Sequence, residues 1–395
     1  MMISPIAAAF ATQTGRIALV TGANKGIGFC IAVQLALSGL FSHIVLGCRD
    51  PTRGDAAVSR IQAQLNTISP PSASCTTISY LPLTLGDKQS HQQLRKSLEE
   101  QFGKVDVLIN NAAMAYKGAD PTPHEEQCKP TLDVNFRGTV DLTEELLPLL
   151  RLGNDARVVN VASMAGRLRQ LRSSQLRSKF TSPELTMEEL QSYVDQYERD
   201  VLDGTYQQKG WGGSNYGMSK LAVIAATRIW AREEAEHGIK VNCCCPGYCD
   251  TDMTSHRGTR SPEDGARNAV IPATMEHAPT VESISMIPSF ASRGGSPSLF
   301  PAHPDPTKYK KLDMAAKKSK ADDKAEKVMI PRRKLQSVPD LLANGTNEED
   351  PSTPESWVTK TLWMAFLLLL FYLSFELFLK LDKMSREQNG GNDEL

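Results

Sequence analysis

The chain has 395 residues, and its 44 Lys and Arg side chains nearly balance its 45 Asp and Glu side chains. This balance excludes a globally basic nucleic-acid-binding protein, and a hydrophobic fraction of 41% excludes a wholly disordered chain. Eight cysteines in so long a chain do not make a disulfide scaffold, and three of them, Cys243–Cys245, are consecutive. That arrangement suits no zinc site, so we interpret them as reduced thiols in a buried strand and expect no metal.

The first elements along the chain are predicted to be a strand, a glycine-rich turn and a helix. The strand is Arg16–Thr21, and the helix Phe29–Ser38 ends at Gly39. Glycines in such a turn let the backbone approach a pyrophosphate, and the helix N-terminus supplies free N–H groups. The spacing is G-x-x-x-G-x-G, and a glycine turn used only for packing is the alternative. The turn residues predicted to hold a dinucleotide are Gly22, Asn24, Lys25, Gly26, Ile27 and Gly28.

Charged residues near this turn indicate which dinucleotide would bind. His43–Cys48 is the second predicted strand, and Arg49 follows it directly. A basic residue there suits the 2′-phosphate of NADP, whereas an acid would favour the ribose hydroxyls of NAD. Lys25 in the glycine turn is a second cation, so both residues favour NADP. The alternative is that they are two solvated surface charges.

Apolar runs and helical patterns then alternate along the chain. The predicted helices are Ala56–Leu65, Gln89–Phe102, Leu142–Leu150 and Lys220–Glu236. The predicted strands are Thr76–Leu83, Val105–Ile109, Arg157–Val161 and Lys240–Cys245. This alternation predicts an α/β fold, a Rossmann-type doubly wound parallel sheet with helices on both faces. Ligands bind such sheets at the carboxyl ends of the strands, where Asn110–Ala113, Ser163 and Pro246 fall.

One pair of residues indicates proton transfer. Tyr216 and Lys220 lie four positions apart at the start of a helix and therefore share one face. An ammonium group near a phenol favours the phenolate, so we expect Lys220 to lower the pKa of Tyr216 from its usual ~10. Such a tyrosine can act as a general acid, and Ser163 can hydrogen-bond the same substrate oxygen. Tyr-x-x-x-Lys alone is common by chance, and a structural pair is the alternative.

Taken together, these motifs resemble the short-chain dehydrogenase/reductase family over roughly residues 14–275. The set that carries the resemblance is Thr21–Gly28, Asn110–Ala112, Asn135, Ser163, Tyr216–Lys220 and Pro246-Gly247. Within the family the chain looks like the NADPH-dependent carbonyl reductases. The segments typical of that subgroup are Ala119–Pro123, Cys244–Tyr248 and Thr251–Met253.

The resemblance implies a mechanism and a set of site residues. NADPH would deliver a hydride to a small-molecule ketone, aldehyde or quinone, and Tyr216 would donate the proton. Ser163 would orient the oxygen, Lys220 would bind the nicotinamide ribose, and Asn135 would hold a water in the proton relay. The residues that the resemblance assigns to the cofactor are Gly22, Asn24, Lys25, Gly26, Ile27, Gly28, Arg49, Asn111, Ala112, Tyr216, Lys220, Pro246 and Thr251.

The gap of 52 residues between Ser163 and Tyr216 also resembles the carbonyl reductases. In that subgroup a helical insertion fills the gap and covers the face through which relatives oligomerise. Here the insertion spans 167–212, with predicted helix starts at Ser182 and at Thr186, the second a capping box. The resemblance therefore implies a monomeric head.

Several positions depart from the family pattern. Ala113 adds a methyl group where a glycine is usual, Tyr248 replaces a frequent tryptophan, and Thr84 replaces an acid beside the adenine. The final strand that the family has after Ala273 is not found, because Glu282–Phe300 reads as Ser- and Pro-rich coil. We expect weaker cofactor binding and an exposed sheet edge.

The remaining chain predicts a membrane tether. The organisation is a reductase domain over 14–280, a disordered charged linker over 281–356, a transmembrane helix over 357–380 and a polar tail over 381–395. Thr361–Leu379 would be ~28 Å long as a helix, which matches a hydrocarbon core of ~30 Å. We expect a cytosolic head anchored in the endoplasmic reticulum, although flanking charges leave the orientation ambiguous.

Two other interpretations stay open. Met314–Lys318 reads like a natural protein start, so the chain could join a truncated reductase to an unrelated tail-anchored protein, with a cytoplasmic reductase. Alternatively, the head is a catalytically weak binding module of a membrane adaptor. The complete set of Ser163, Tyr216 and Lys220 favours the enzyme, whereas Thr84 and the missing strand favour the adaptor.

Overall fold

Six strands form one parallel sheet in the computed structural model, which describes residues 15–68 and 76–276. In chain order they are β1 (Arg16–Thr21), β2 (Phe41–Cys48), β3 (Thr77–Pro82), β4 (Val107–Asn110), β5 (Arg157–Val161) and β6 (Lys240–Cys244). Their order in the sheet is β3-β2-β1-β4-β5-β6, and every neighbouring pair is parallel. From β1 the chain adds β2 and β3 towards one edge of the sheet, and then β4, β5 and β6 towards the other edge. Folds of this kind bind their ligands at the point where the order reverses, which here lies between β1 and β4.

Helices connect the strands. They are α1 (Gly26–Leu37), α2 (Pro51–Ile68), α3 (Lys88–Phe102), α4 (His124–Leu132), α5 (Gly138–Arg151), α6 (Ser174–Thr181), α7 (Met187–Leu202), α8 (Asn215–Glu233) and α9 (Pro262–Thr274). A π-helical segment, Asp133–Arg137, joins α4 to α5. No helix within the described ranges is long and apolar enough to cross a membrane.

The core lies on both faces of the sheet because side chains alternate along each strand. On β1, Ile17 and Leu19 pack into one hydrophobic cluster with α3, α5 and α8. Ala18 and Val20 point to the other face, into a second cluster with α1, α2 and α9. This is the doubly wound α/β arrangement that the continuous apolar runs predict.

The predicted strands are all found, and β1 and β5 have the predicted bounds. Cys243 and Cys244 are buried free thiols in β6, as predicted. The prediction is wrong for Cys245, which follows the end of the strand and is only partly buried. The last predicted helix begins five residues before Lys220, because Ser214 caps the backbone N–H of Gly217 and starts α8 at Asn215. Tyr216 and Lys220 therefore both lie in the first two turns of α8.

The insertion is helical, but only one of its two predicted starts is correct. Thr186 and Glu189 form the predicted capping box of α7. The predicted start at Ser182 is wrong: the chain turns there, and Ser182 Oγ accepts a hydrogen bond from Glu184 N instead of opening a helix. The predicted linker, transmembrane helix and tail, over 281–356, 357–380 and 381–395, lie outside the described residues, as does the segment Glu282–Phe300.

Candidate active site

The glycine turn after β1 is shaped by close backbone contacts. Gly22 has φ +66° and Gly26 has φ +57°, conformations that favour glycine over other residues. A Cβ atom at Gly28 would collide with Asn111 Nδ2, which itself donates to Thr21 O at 2.9 Å. Since α1 has no side-chain cap at its N-terminus, its first N–H groups suit an anionic ligand.

The turn opens into a cleft of about 1240 Å³ at the carboxyl ends of the strands. All of the residues that the sequence assigns to the cofactor line this cleft: Gly22, Asn24, Lys25, Gly26, Ile27, Gly28, Arg49, Asn111, Ala112, Tyr216, Lys220, Pro246 and Thr251. The sheet brings them together from chain positions far apart, because parallel strands end at the same edge.

Tyr216 and Lys220 line the cleft, and Ser163, which is not among the lining residues, is the partner of the Tyr216 hydroxyl. Tyr216 is partly buried and is hydrogen-bonded through its hydroxyl to Ser163. Lys220 is only 4% exposed, and its Nζ donates to Val161 O at 2.7 Å. The same Nζ lies 5.8 Å from the centroid of the Tyr216 ring. A proton donor, a hydroxyl partner and a buried cation are therefore within one small volume.

The pKa of Tyr216 differs from the sequence-based expectation. Burial raises it to about 12, and the hydrogen bond with Ser163 acts in the opposite direction without cancelling the shift. The expected lowering by Lys220 is therefore wrong for this arrangement, because the ammonium donates to Val161 O rather than to the phenol. Burial also lowers the pKa of Lys220 to about 8. Tyr216 is thus a neutral phenol at neutral pH.

Asn135 lies in the π-helical segment and is 1% exposed. Its Oδ1 accepts from Met114 N at 2.7 Å, and its Nδ2 donates to Met114 O at 2.8 Å and to Ser219 Oγ at 3.1 Å. Ser219 Oγ in turn donates to Tyr216 O at 2.8 Å. Both amide hydrogens are used, so one lone pair of Oδ1 is left for a further partner. Asn135 thereby links the loop after β4 to the helix that carries Tyr216.

The two cations expected at the 2′-phosphate differ in their surroundings. Arg49 is exposed and makes no hydrogen bond or ion pair with the described residues. Lys25 instead forms an ion pair with Asp252, with Nζ and Oδ2 2.6 Å apart. The hydrogen bond from Lys25 lowers the pKa of Asp252. Arg49 is thus free to bind an anion, whereas Lys25 has to exchange a partner first.

Sequence reasoning missed Gln170, which fastens the Ser163 loop to the helix of Tyr216. Its Nε2 donates to Ala165 O and to Gly217 O, both at 3.0 Å. Ala165 N is itself hydrogen-bonded to Ser163 Oγ at 3.1 Å. No local pattern marks Gln170, because Gly217 is 47 positions away in the chain.

The positions that depart from the family pattern lie around the cleft. Ala113 lines it. Thr84 is not among the lining residues, although its neighbours Leu83 and Leu85 are. Its backbone N–H donates to Ser90 Oγ at 2.9 Å. Tyr248 is 51% exposed in the loop after β6.

A Rossmann-type sheet with a Ser, Tyr and Lys site defines a class of nucleotide-dependent oxidoreductases. The short chain dehydrogenase family matches residues 16–186 and 204–261, more than half of the chain. The protein therefore belongs to the short-chain dehydrogenase family.

Similar proteins give a finer comparison. The chain is 42% identical over 262 residues to carbonyl reductase (NADPH) 1 of Macaca fascicularis, covering 65% of this chain and 89% of that protein. It is 42% identical over 260 residues to the Homo sapiens protein of the same name, covering 64% and 89%. Among solved structures, salutaridine reductase from Papaver somniferum has a TM-score of 0.58 at 28% identity, covering 66% of this chain and 96% of that chain. Menthone neomenthol reductase from Mentha piperita has a TM-score of 0.53 at 27% identity, covering 66% and 96%.

Proposed function

We propose that the protein is an NADPH-dependent carbonyl reductase that converts ketones, aldehydes or quinones to alcohols. The observation that carries this proposal is that Tyr216, whose hydroxyl is hydrogen-bonded to Ser163, lines the cleft beside the buried Lys220. The similarity to proteins named carbonyl reductase (NADPH) supports the choice of substrate class and of cofactor.

The chain's own residues fit NADPH. Gly22 and Gly28 let the turn pack closely against Ala112 and Asn111, where a Cβ atom would collide. The turn and the start of α1 thereby line the cleft, where the backbone N–H groups can bind a pyrophosphate. Arg49, directly after β2, has no partner among the described residues and lies where the 2′-phosphate of NADP would be bound. Lys25 would join it by exchanging Asp252 for the phosphate. Thr84 offers no carboxylate on the adenine side.

The site residues divide the chemistry between them. NADPH supplies the hydride that reduces the carbonyl carbon. Tyr216 donates its phenolic proton to the carbonyl oxygen, for which its neutral state is required. Ser163 orients that oxygen and stabilises the developing charge through its hydroxyl. Lys220, whose Nζ lies in the cleft 5.8 Å from the Tyr216 ring centroid, would bind the nicotinamide ribose, and Asn135 would hold a water in the proton relay.

The direct test is turnover. The purified full-length chain would be given NADPH and a panel of quinones and aromatic ketones, and coenzyme oxidation would be followed by absorbance. We expect oxidation with at least one carbonyl and none in its absence. A folded protein that binds NADPH but reduces none of the panel would favour the adaptor interpretation.

We further propose that the reductase domain is a monomer. The insertion covers α8, since Arg228 Nη1 donates to Phe180 O at 3.4 Å and Arg232 Nη2 donates to Leu185 O at 2.8 Å. Phe180 and Leu185 are both buried in the core that α8 shares. Sedimentation of the reductase in detergent would test this, with a dimer as the contrary result.

The membrane tether remains a proposal from the sequence of 357–380, with the catalytic domain in the cytosol and the anchor in the endoplasmic reticulum. Asn344 is a glycosylation sequon that lies before the apolar segment. We expect no glycan on Asn344 and a glycan on a sequon engineered beyond Arg386, because a single apolar helix crosses once. Glycan on Asn344 would reverse the orientation. A transcript spanning the codons for 270–320 would support one natural chain, and two separate transcripts would favour a fusion.

A further inference from the structure

The residue directly before Tyr216 is held by an unusual set of buried contacts. Asn215 is the first residue of α8 and is 5% exposed. Its Oδ1 accepts from the hydroxyl of Tyr197 at 2.8 Å, and its Nδ2 donates to His124 O at 2.8 Å. The same Nδ2 lies 3.3 Å from His124 Nδ1. One side chain thus joins three helices, α4, α7 and α8.

The insertion holds the Tyr197 end of this contact rigidly. Tyr197 is fully buried, and its ring packs edge-on against Trp211 with centroids 5.6 Å apart. Trp211 Nε1 donates to Asp200 Oδ2 at 2.7 Å, and Asp200 is 1% exposed. Lys209 Nζ donates to the other carboxylate oxygen at 2.6 Å. A satisfied buried network therefore fixes where the Tyr197 hydroxyl points.

The first turn of a helix needs such support because its N–H groups have no partners within the helix. Ser214 Oγ satisfies one of them by accepting from Gly217 N at 2.9 Å. That cap starts the helix, but it is local to the chain and does not fix the turn relative to the sheet. Asn215 attaches this first turn to the neighbouring helices α4 and α7. Tyr216 is the next residue, with its Cα atom ~3.8 Å from that of Asn215.

We propose that Tyr197 and Asn215 are positioning residues for Tyr216. In this role the insertion does more than cover α8: its helix α7 sets the place of the proton donor opposite Ser163. The inference deepens the proposed function and rests on it. The alternative is that the contact only satisfies two buried polar groups. In that case its removal would lower stability and leave turnover unchanged.

The test compares two tyrosines of the same helix. Tyr197→Phe keeps the ring and removes the hydrogen bond to Asn215. Tyr193→Phe is the matched control, because its ring packs on Phe180 while its hydroxyl has no partner among the described residues. With the full-length protein, kcat at saturating NADPH, the dissociation constant for NADPH, and amide exchange of residues 216–220 would be measured below the unfolding temperature of both variants.

We expect Tyr197→Phe to lower kcat roughly tenfold, within the ~10²-fold that a misplacement of about 1 Å costs. NADPH affinity should stay within about twofold, because the glycine turn is untouched, and amide exchange in the first turns of α8 should become faster. Tyr193→Phe should change none of these. Asn215→Ala should lower kcat at least as much as Tyr197→Phe, because it also removes the contact with His124. Adding Tyr197→Phe to Asn215→Ala should change kcat little further, since the contact between the two residues is already lost.

Unchanged kcat and unchanged exchange in Tyr197→Phe would overturn the inference. So would faster exchange with full turnover, because the turn would then be loosened without consequence for Tyr216. Failure of the proposed function has a different signature: the wild-type protein turns over no carbonyl, while exchange in α8 still distinguishes Tyr197→Phe from Tyr193→Phe. That result would support the structural role of the contact in α8 and would contradict the proposed carbonyl reductase activity.

Discussion

Lys25 Nζ lies 2.6 Å from Asp252 Oδ2, and this ion pair joins the glycine turn to the loop after β6. Both side chains are more than half exposed, so the pair contributes little to stability. His256 Nε2 lies 3.0 Å from the other oxygen of Asp252, and His256 Nδ1 lies 2.7 Å from Asp250 Oδ1. The Asp252 carboxylate is therefore paired with Lys25, one of the two cations that we expect to bind the 2′-phosphate of NADPH.

The first prediction follows from this competition. Asp252→Asn removes the negative charge and frees Lys25, so we expect NADPH to bind roughly threefold or more tightly, with a smaller gain at high salt. NADH, which has no 2′-phosphate, should change much less. Fluorescence titration with both coenzymes would measure the effect. Asp250→Asn is the matched control, because Asp250 contacts His256 and not Lys25. Weaker NADPH binding in Asp252→Asn would instead assign Asp252 to holding the loop.

The second prediction concerns cofactor choice. Replacing Lys25 and Arg49 together by Gln should weaken NADPH by roughly tenfold or more, an effect of about 1.4 kcal/mol or greater. NADH binding should be nearly unchanged. Arg49→Gln alone should account for most of the loss, because Lys25 must first leave Asp252. Equal weakening of both coenzymes would show that the two cations support the fold rather than the phosphate.

The third prediction concerns the proton donor. Tyr216→Phe keeps the ring and removes the phenolic proton, so we expect kcat to fall by ~10² or more, the usual scale for lost acid–base catalysis. NADPH binding should survive, because the glycine turn and Lys220 remain. Single-turnover measurements with a quinone and with an aromatic ketone would report the step directly. Turnover close to that of the wild-type protein would refute the role of Tyr216.

The fourth prediction concerns stability at alkaline pH. Burial raises the pKa of Cys48 and Cys249 to about 11 and that of Cys128 and Cys243 to about 12. Unfolded thiols ionise near pH ~8.5, so the unfolded state loses protons first and stability falls as pH rises above that value. Each thiol contributes up to ~1.4 kcal/mol per pH unit.

Lys220 opposes this trend with a single group. Burial lowers its pKa to about 8 from the ~10.4 of an unfolded lysine. The cost of burying the charged amine therefore destabilises the fold fully below pH 8 and is relieved as pH rises towards ~10.4. Because several thiols outweigh one amine, urea unfolding under reducing conditions should show lower stability at pH 9.5 than at pH 8. Cys243→Ala should make the fall shallower. Stability that rises over this range would contradict the prediction.

Local sequence patterns were enough to predict the fold and the cofactor-binding residues that line the cleft. The mostly apolar runs Arg16–Thr21 and Arg157–Val161 have the bounds of real strands, because a strand covered by helices on both faces is mostly apolar. Parallel strands end at one edge, so the residues that follow them, such as Arg49 and Asn111, had to converge on one cleft. The helix starts were less accurate: Ser182 opens a turn, and α8 begins before Lys220.

Interactions between distant residues needed the tertiary structure. Lys25 and Asp252 are 227 positions apart, and nothing near either residue marks the other. The direction of the pKa shift of Tyr216 depends on how deeply the fold buries it and on Lys220 donating to Val161 O, neither of which spacing along a helix can predict. Asn215 likewise carries no motif, and its contact with Tyr197 exists only because the insertion folds back over α8. Hydrophobic periodicity is local along the chain, whereas burial and ion pairing depend on which segments pack together.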